Sequence, residues 1–236
     1  MIAIELDNIS LSISNKTIFK NAHLKIPKGK ITGIIGKNGA GKTTLFDLFC
    51  GIRTPDRGKL TTYAKQFSYL SQTLGMPSNL SMKEIYEMTA ALSCEHAPSI
   101  AEAIAQFRTW DSRLTENFSK TLEKRPNQCS YGEIRFFFTL ALISFSKQLL
   151  ILDEPTAGVD PESRHHIWSF LRKARESGTT IVISSHNIEE ICANCDSFYL
   201  IHKHQFSKFE SAESFISFFK SQTLEEAFIA STYDQS

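Results

Sequence analysis

No apolar run in the sequence approaches the roughly 20 residues that cross a bilayer as a helix. The most apolar stretch, FFFTLALISF, stops at Ser146 and Lys147. The chain is therefore expected to span no membrane. The amino terminus, MIAIELDNISLSI, alternates apolar and polar residues as a strand does, without the basic start and apolar block of a secretory signal. An excess of charge is missing too: 26 Lys and Arg oppose 25 Asp and Glu, and no basic block offers a footprint for nucleic acid. Nucleic acid is not an expected partner. Cysteines are few and odd in number (Cys50, Cys94, Cys129, Cys192, Cys195), which suits a reducing cytosol better than a disulfide framework. Cys192 and Cys195 form a lone C-x-x-C with no second pair, in a segment that reads as helical, so zinc or redox chemistry is not expected there. Internal repeats and low-complexity segments are absent.

With 236 residues, 42% of them hydrophobic, the chain has enough apolar surface for one large domain with an insert. Strand-like runs occur at Ile2 to Leu6, Ile9 to Ile13, Ala22 to Ile26 and Ile31 to Ile35. The next apolar positions, Leu45, Phe46, Leu48 and Phe49, have the spacing of a helix with one buried face, and Gly51 is a natural stop. From about Pro77 to Gln128 the composition turns to helix formers. Beyond it LLILD and TTIVISS read as strands buried on both faces of a parallel sheet, with a helix between them spaced through Ile167, Phe170, Leu171 and Ala174. These runs predict an α/β fold: a mainly parallel central sheet, an antiparallel β subdomain at the amino end and a helical insert. Within a single domain spanning 1–236, residues 1–76 and 129–210 are expected to form the core, 77–128 the helical insert and 211–236 a helical tail.

Gly36-Lys37-Asn38-Gly39-Ala40-Gly41-Lys42-Thr43 fits G-x-x-x-x-G-K-[ST] between the strand ITGII and a helix, the context in which this pattern is a phosphate loop. Glycines let backbone N–H groups curl around phosphate oxygens, Lys42 neutralises the β and γ phosphates, and Thr43 offers a hydroxyl to Mg²⁺. The apolar strand ending in Asp153-Glu154 supplies the second half of a hydrolytic site. Asp153 is placed for the magnesium shell, and Glu154 to orient or deprotonate water.

Residues 129 to 133 read CSYGE, just before a very apolar helix. Ser130 followed by Glu133 is a capping box. A capped helix start is an ordinary structural device, and also a place where an anion binds.

Taken together, these segments resemble the ATPase subunit of ATP-binding cassette (ABC) transporters, over nearly the whole chain. GKNGAGKTT resembles that family's Walker A and LLILDEPT its Walker B, which implies that Asn38, Gly39, Ala40, Gly41, Lys42, Thr43 and Thr44 hold ATP. Gln72 falls at the Q-loop glutamine that contacts the magnesium site, Asp160 at the D-loop, and His186 at the switch histidine that contacts the γ-phosphate. The resemblance thus implies Glu154, His186 and Gln72 as catalytic residues and Thr43, Gln72 and Asp153 around Mg²⁺. CSYGE stands where the family has its LSGGQ signature, which binds the γ-phosphate of ATP held by the other subunit. Ser130 and Gly132 are retained. Cys129, Tyr131 and Glu133 depart: Tyr131 puts a ring where the family keeps a small residue, and Glu133 adds negative charge to the first turn. Where the family stacks an aromatic residue on adenine, this sequence has Ile13, with Phe19 as a substitute whose register points to the core.

The resemblance further implies a head-to-tail dimer, a homodimer in preference to a heterodimer, on the cytoplasmic face of a membrane. Separate transmembrane subunits would dock on a groove bordered by Gln72 to Pro77. The segment TLEEAFIA, Thr223 to Ala230, resembles the ending of exporter ATPases, so export is favoured over import; the same residues also suit an amphipathic helix packed on the core. A nucleotide-dependent regulatory or soluble cassette ATPase with low turnover is the alternative, because the signature is altered.

Overall fold

The computed structural model describes residues 1–93, 97–111, 114–145 and 148–233. β1 (Ile2–Ile13) and β2 (Lys16–Pro27) pair antiparallel, then come β3 (Ile31–Ile35), α1 (Lys42–Phe49), β4 (Arg57–Thr62) and β5 (Phe67–Leu70). Residues 77–128, expected to form a helical insert, carry α2 (Met82–Ser93), α3 (Ile100–Trp110), α4 (Leu114–Leu122) and a 3-10 turn at Pro126–Gln128. Next follow α5 (Tyr131–Phe145), β6 (Leu149–Asp153), α6 (Pro161–Glu176), β7 (Thr180–Ser184), α7 (Ile188–Asn194), β8 (Ser197–His202), β9 (Gln205–Phe209), α8 (Ala212–Phe218) and α9 (Leu224–Tyr233). Cys94, Ser146, Lys147 and the last three residues of the expected tail lie outside the described residues.

The strands form a three-stranded antiparallel sheet, β2-β1-β4, and a six-stranded sheet, β5-β6-β7-β3-β8-β9, parallel throughout except for β9. This is the expected α/β architecture. One correction concerns its edge: the two short strands expected at Ile2 to Leu6 and Ile9 to Ile13 are a single strand. Asn8 takes φ 55, and the pairing register jumps between Leu6 and Ile9. The bulge resets the alternation so that Leu6 and Ile9, an odd number of positions apart, both face the core. The partner strand likewise begins at Lys16, well before the expected Ala22.

Two cores flank the parallel sheet. On one side α1 is clamped between the sheets, with Leu45, Phe46, Leu48 and Phe49 buried against Ile4, Leu24, Ile34 and Val182. On the other, α5 is buried from Ile134 to Phe145, which explains why its sequence shows no polar face. An aromatic cluster carries α2, α3 and α4 onto it: Phe118 stacks on Phe137 at 4.8 Å, and Tyr86 sits edge-on to both. On α6, Ile167, Phe170, Leu171 and Ala174 are buried as their spacing predicts. Leu224 and Phe228 of α9 pack partly on this core, whereas Ile229 remains 45% exposed. The neighbouring strands β5, β6, β7 and β3 are parallel, so the loops after them open at one end of the sheet, where α/β folds place ligands.

Candidate active site

From Ile35 the chain turns through Gly36 to Gly41 into α1. Gly41 precedes the helix with φ 107, and a Cβ there would press on Ile18 and Phe19, so both backbone and space call for glycine. No side chain caps α1 and its first turn has no acidic residue. Its leading N–H groups are thus open to an anion. Lys42 is buried, with Nζ donating to the Gly36 carbonyl at 2.8 Å. Burial pushes its ammonium below the usual lysine range, and the negative charges of Glu154 and Asp153 pull it back up.

Asp153, at the end of β6, is 1% exposed. One carboxylate oxygen accepts from Thr43 Oγ1 at 2.6 Å and the other from Ser184 Oγ at 2.5 Å. Glu154 follows in a left-handed conformation, φ 55, with its N–H donating to Ser184 Oγ at 3.0 Å. Its Oε2 lies 2.7 Å from His186 Nδ1 and accepts the His186 N–H at 3.3 Å. Gln72 lines the same cavity of about 340 Å³ as Asn38, Gly39, Gly41, Lys42, Thr43, Thr44, Asp153 and Glu154. The sequence-predicted phosphate and hydrolytic residues therefore converge, with His186 tied to them through Glu154. A hydroxyl, a carboxylate and an amide carbonyl facing one cavity are hard oxygen donors of the kind Mg²⁺ takes alongside phosphate and water.

A second cavity, of about 450 Å³, shares Ile18 and Gly39 with the first and adds Ala40, Lys37, Lys16, Thr17, Lys203 and His204. Neither expected base contact lines it. Ile13 ends β1 and pairs with Lys16 across the hairpin, and Phe19 is fully buried, its ring 5.0 Å from that of Phe206. The β8–β9 hairpin brings an imidazole to the cavity wall: His204 Nδ1 lies 3.2 Å from the Ile18 carbonyl.

Ser130, Gly132 and Asp160 line a third cavity, of about 290 Å³, that shares no residue with the first. The predicted capping box is formed: the Glu133 N–H donates to Ser130 Oγ at 3.1 Å and the Ser130 N–H to Glu133 Oε2 at 2.7 Å. Glu133 Oε1 accepts from Lys124 Nζ at 2.7 Å. Lys124 and the Ser130 N–H hold its carboxyl below the usual glutamate range. The charge that departs from the family pattern is thus neutralised within the chain. A Cβ on Gly132 would collide with the Gly158 carbonyl, so glycine lets the start of α5 touch that loop. Tyr131 is 52% exposed; its ring lies against Gly158 and has the Arg135 guanidinium 5.8 Å from its centroid. Asp160 caps α6, accepting the Ser163 N–H at 3.0 Å.

Three contributors escaped sequence reasoning. Ser184 sits at a strand end, Lys124 carries no local signal, and the one cue for Arg135, a lone cation in an apolar helix, was not read. At the end of α7, burial pushes the Cys192 thiol up to about 11 and that of Cys195, the residue after the helix, well above the usual thiol range.

Known proteins resemble this chain in sequence and fold. The family model described as "ABC transporter" matches residues 19–157, more than half of the chain. Protein McbF of Escherichia coli is 28% identical over 90% of this chain and 88% of its own length. The energy-coupling factor transporter ATP-binding protein EcfA2 of Streptococcus pyogenes is 27% identical over 85% of this chain and 78% of its own. Among solved structures, an ATP-binding subunit of an ABC transporter superposes with a TM-score of 0.81 at 21% identity, over 98% of this chain and 100% of that one. A dimeric ATP-binding cassette in a post-hydrolysis state with ADP and phosphate superposes with a TM-score of 0.73 at 17% identity, covering 88% and 98%. With a phosphate loop, a Walker B carboxylate pair and a signature-position helix start set on this fold, the chain belongs to the ABC transporter family as an ATP-binding, ATP-hydrolysing subunit.

Proposed function

We infer that this subunit works as a head-to-tail dimer, in which ATP on the phosphate loop of one copy is closed over by Ser130 and Gly132 of the other. The observation that carries this reading is the separation of two half-sites: no residue lines both the phosphate-loop cavity and the cavity of Ser130, Gly132 and Asp160. A second copy, turned around, brings them together. ATP then joins the two chains, and hydrolysis releases them. The base end of the nucleotide lies along Lys16 to Ile18 and His204. Mg²⁺, held by Thr43, Asp153 and Gln72 with phosphate oxygens, would neutralise charge on the transferred phosphoryl group. Water attacks the γ-phosphorus as the bond to the bridging oxygen breaks and ADP leaves. Glu154 takes the proton from water, and His186, hydrogen-bonded to Glu154, turns to the γ-phosphate.

No helix among the described residues is long and apolar enough to cross a membrane. In this reading transport runs through separate membrane subunits, and the family resemblance sets the dimer on the cytoplasmic face beneath them. Residues Gln72 to Pro77 run between the parallel sheet and α2. The exposed Met88 and Leu92, one turn apart on α2, offer apolar surface beside them. Export is favoured by the TLEEAFIA segment, with α9 docked through Leu224 and Phe228.

Purified protein assayed for ATP hydrolysis beside Glu154→Gln tests the site. Loss of the general base is expected to lower kcat by about 10²–10⁴ with nucleotide still bound. A wild type already at that floor refutes the turnover reading and favours a regulatory role. Vesicles reconstituted with the co-purifying membrane subunits then report the direction of cargo movement.

A further inference from the structure

Arg135 is the largest side chain with no exposed surface, and the nucleotide site as described makes no use of its charge. Its hydrogen-bond partners among the described residues are backbone carbonyls. Nη1 donates to Ser71 at 2.7 Å and Gln72 at 3.2 Å, while Nη2 donates to Asp153 and, at 2.6 Å, to Glu154. Nε is buried without a partner. Burying a guanidinium against neutral acceptors is costly, and the neighbouring positions of α5 are filled by apolar side chains. The charge secures a fixed spacing between two loops. One follows β5 and carries Gln72; the other follows β6 and carries Glu154.

The second loop is where such a grip matters. A non-glycine residue at φ 55 persists only where its surroundings hold it. Ser184 Oγ holds the Glu154 N–H and Arg135 holds its carbonyl, so the residue is fixed at both ends. Arg135 also lies one turn into α5, with the Tyr131 ring 5.8 Å away, next to the Ser130 and Gly132 half-site.

We propose that Arg135 is a positioning residue that locks the backbone of Gln72 and Glu154 and makes the aim of the Glu154 carboxylate depend on the placement of the start of α5. Nucleotide from the partner copy, bound at Ser130 and Gly132, is thereby felt at the water-activating residue of the same chain. This inference rests on the reading of Glu154 as the general base.

The test uses Arg135→Lys, which keeps the charge but lacks the fork that reaches four carbonyls, with Arg135→Gln as a second variant. Glu154→Gln and the double variant Arg135→Lys/Glu154→Gln complete the set. Rates are expressed per bound nucleotide, so only folded protein counts. Both Arg135 variants are expected to lose about tenfold or more in kcat with ATP affinity within about threefold of wild type, a split that marks a transition-state effect. The Hill coefficient for ATP should fall towards one. The double variant should be no slower than Glu154→Gln within about twofold, because residues acting through one group are not additive. A kcat within about twofold of wild type overturns the proposal, as do additive losses in the double variant. Loss of ATP binding in both Arg135 variants makes the residue a folding element and overturns it too. A wild-type kcat for Glu154→Gln removes the general-base reading and this inference with it, an outcome visible without any Arg135 variant.

Discussion

Ser184→Ala removes one oxygen atom from the place where β6 and β7 meet the active site. That hydroxyl is fully buried; it donates to Asp153 Oδ1 at 2.5 Å and accepts the Glu154 N–H at 3.0 Å. Its loss leaves a buried N–H unsatisfied, which costs about 1–3 kcal/mol, and deletes a hydrogen bond to a charged group, worth about 1.5–3 kcal/mol. Both bonds go with the same atom, and Asp153 keeps the Thr43 hydroxyl, so the two figures overlap and about 2–4 kcal/mol is expected. For a chain of this length that corresponds to a fall in Tm of roughly 5–15 °C. Urea unfolding of nucleotide-free protein measures it, and the midpoint should drop with the slope unchanged. The Glu154 backbone, released at its N–H, should also cost kcat more than ATP affinity. A stability change below about 1 kcal/mol would mean the hydroxyl is not a shared anchor, and the reasoning about the buried pair would fail.

Lys42→Ala removes the one cation buried in the phosphate-loop cavity among the described residues and should abolish ATP binding; unchanged affinity by equilibrium titration sinks the site assignment. Tyr131→Gly deletes the ring that lies on Gly158 and beside Arg135, a cation–π contact between a half-exposed ring and a buried guanidinium worth about 0.5–2 kcal/mol, so kcat should fall between about two- and thirtyfold; a rise would show that the ring merely obstructs phosphate. Glu133 has a lowered folded pKa, so its capping and Lys124 contacts stabilise the fold above the unfolded glutamate value of about 4.3 and are lost as pH falls through the folded value. The Tm difference between wild type and Glu133→Gln should therefore be full at neutral pH and vanish under acid conditions; a difference that persists there would rule out the ionised cap.

How much of this was legible in the sequence depended on whether a residue's role is set by its neighbours along the chain or across space. The phosphate loop was legible because its glycines, Lys42 and Thr43 stand within eight consecutive residues, so one local pattern holds the whole set. The strands β6 and β7 were legible because burial on both faces leaves a continuous apolar run. The long β1 strand was not, since one residue, Asn8, shifts the alternation and breaks the period on which such a reading depends. Ser184 and Lys124 were missed for the other reason: their partners are 31 and 9 positions away, brought close by a parallel crossover and by a turn that no local pattern encodes. The contact of His204 with Ile18 was equally hidden, since it spans 186 positions.

The altered signature shows why departures from a family pattern are best weighed with their contacts. Taken alone, Glu133 sets a negative charge beside a site meant for phosphate. In place, its two oxygens are occupied by the Ser130 N–H and Lys124 Nζ, and the ammonium that answers it lines the same cavity as Ser130 and Gly132. The pair brings the half-site no net charge, and Lys124 stands within it as a cation that phosphate can engage. Tyr131 likewise turns its ring to Gly158 and Arg135 of its own chain. What the segment gives up in small residues it regains as a connection: the ring, the guanidinium and the Glu154 carbonyl link the start of α5 to the loop after β6, the path along which the proposed dimer would couple its two half-sites.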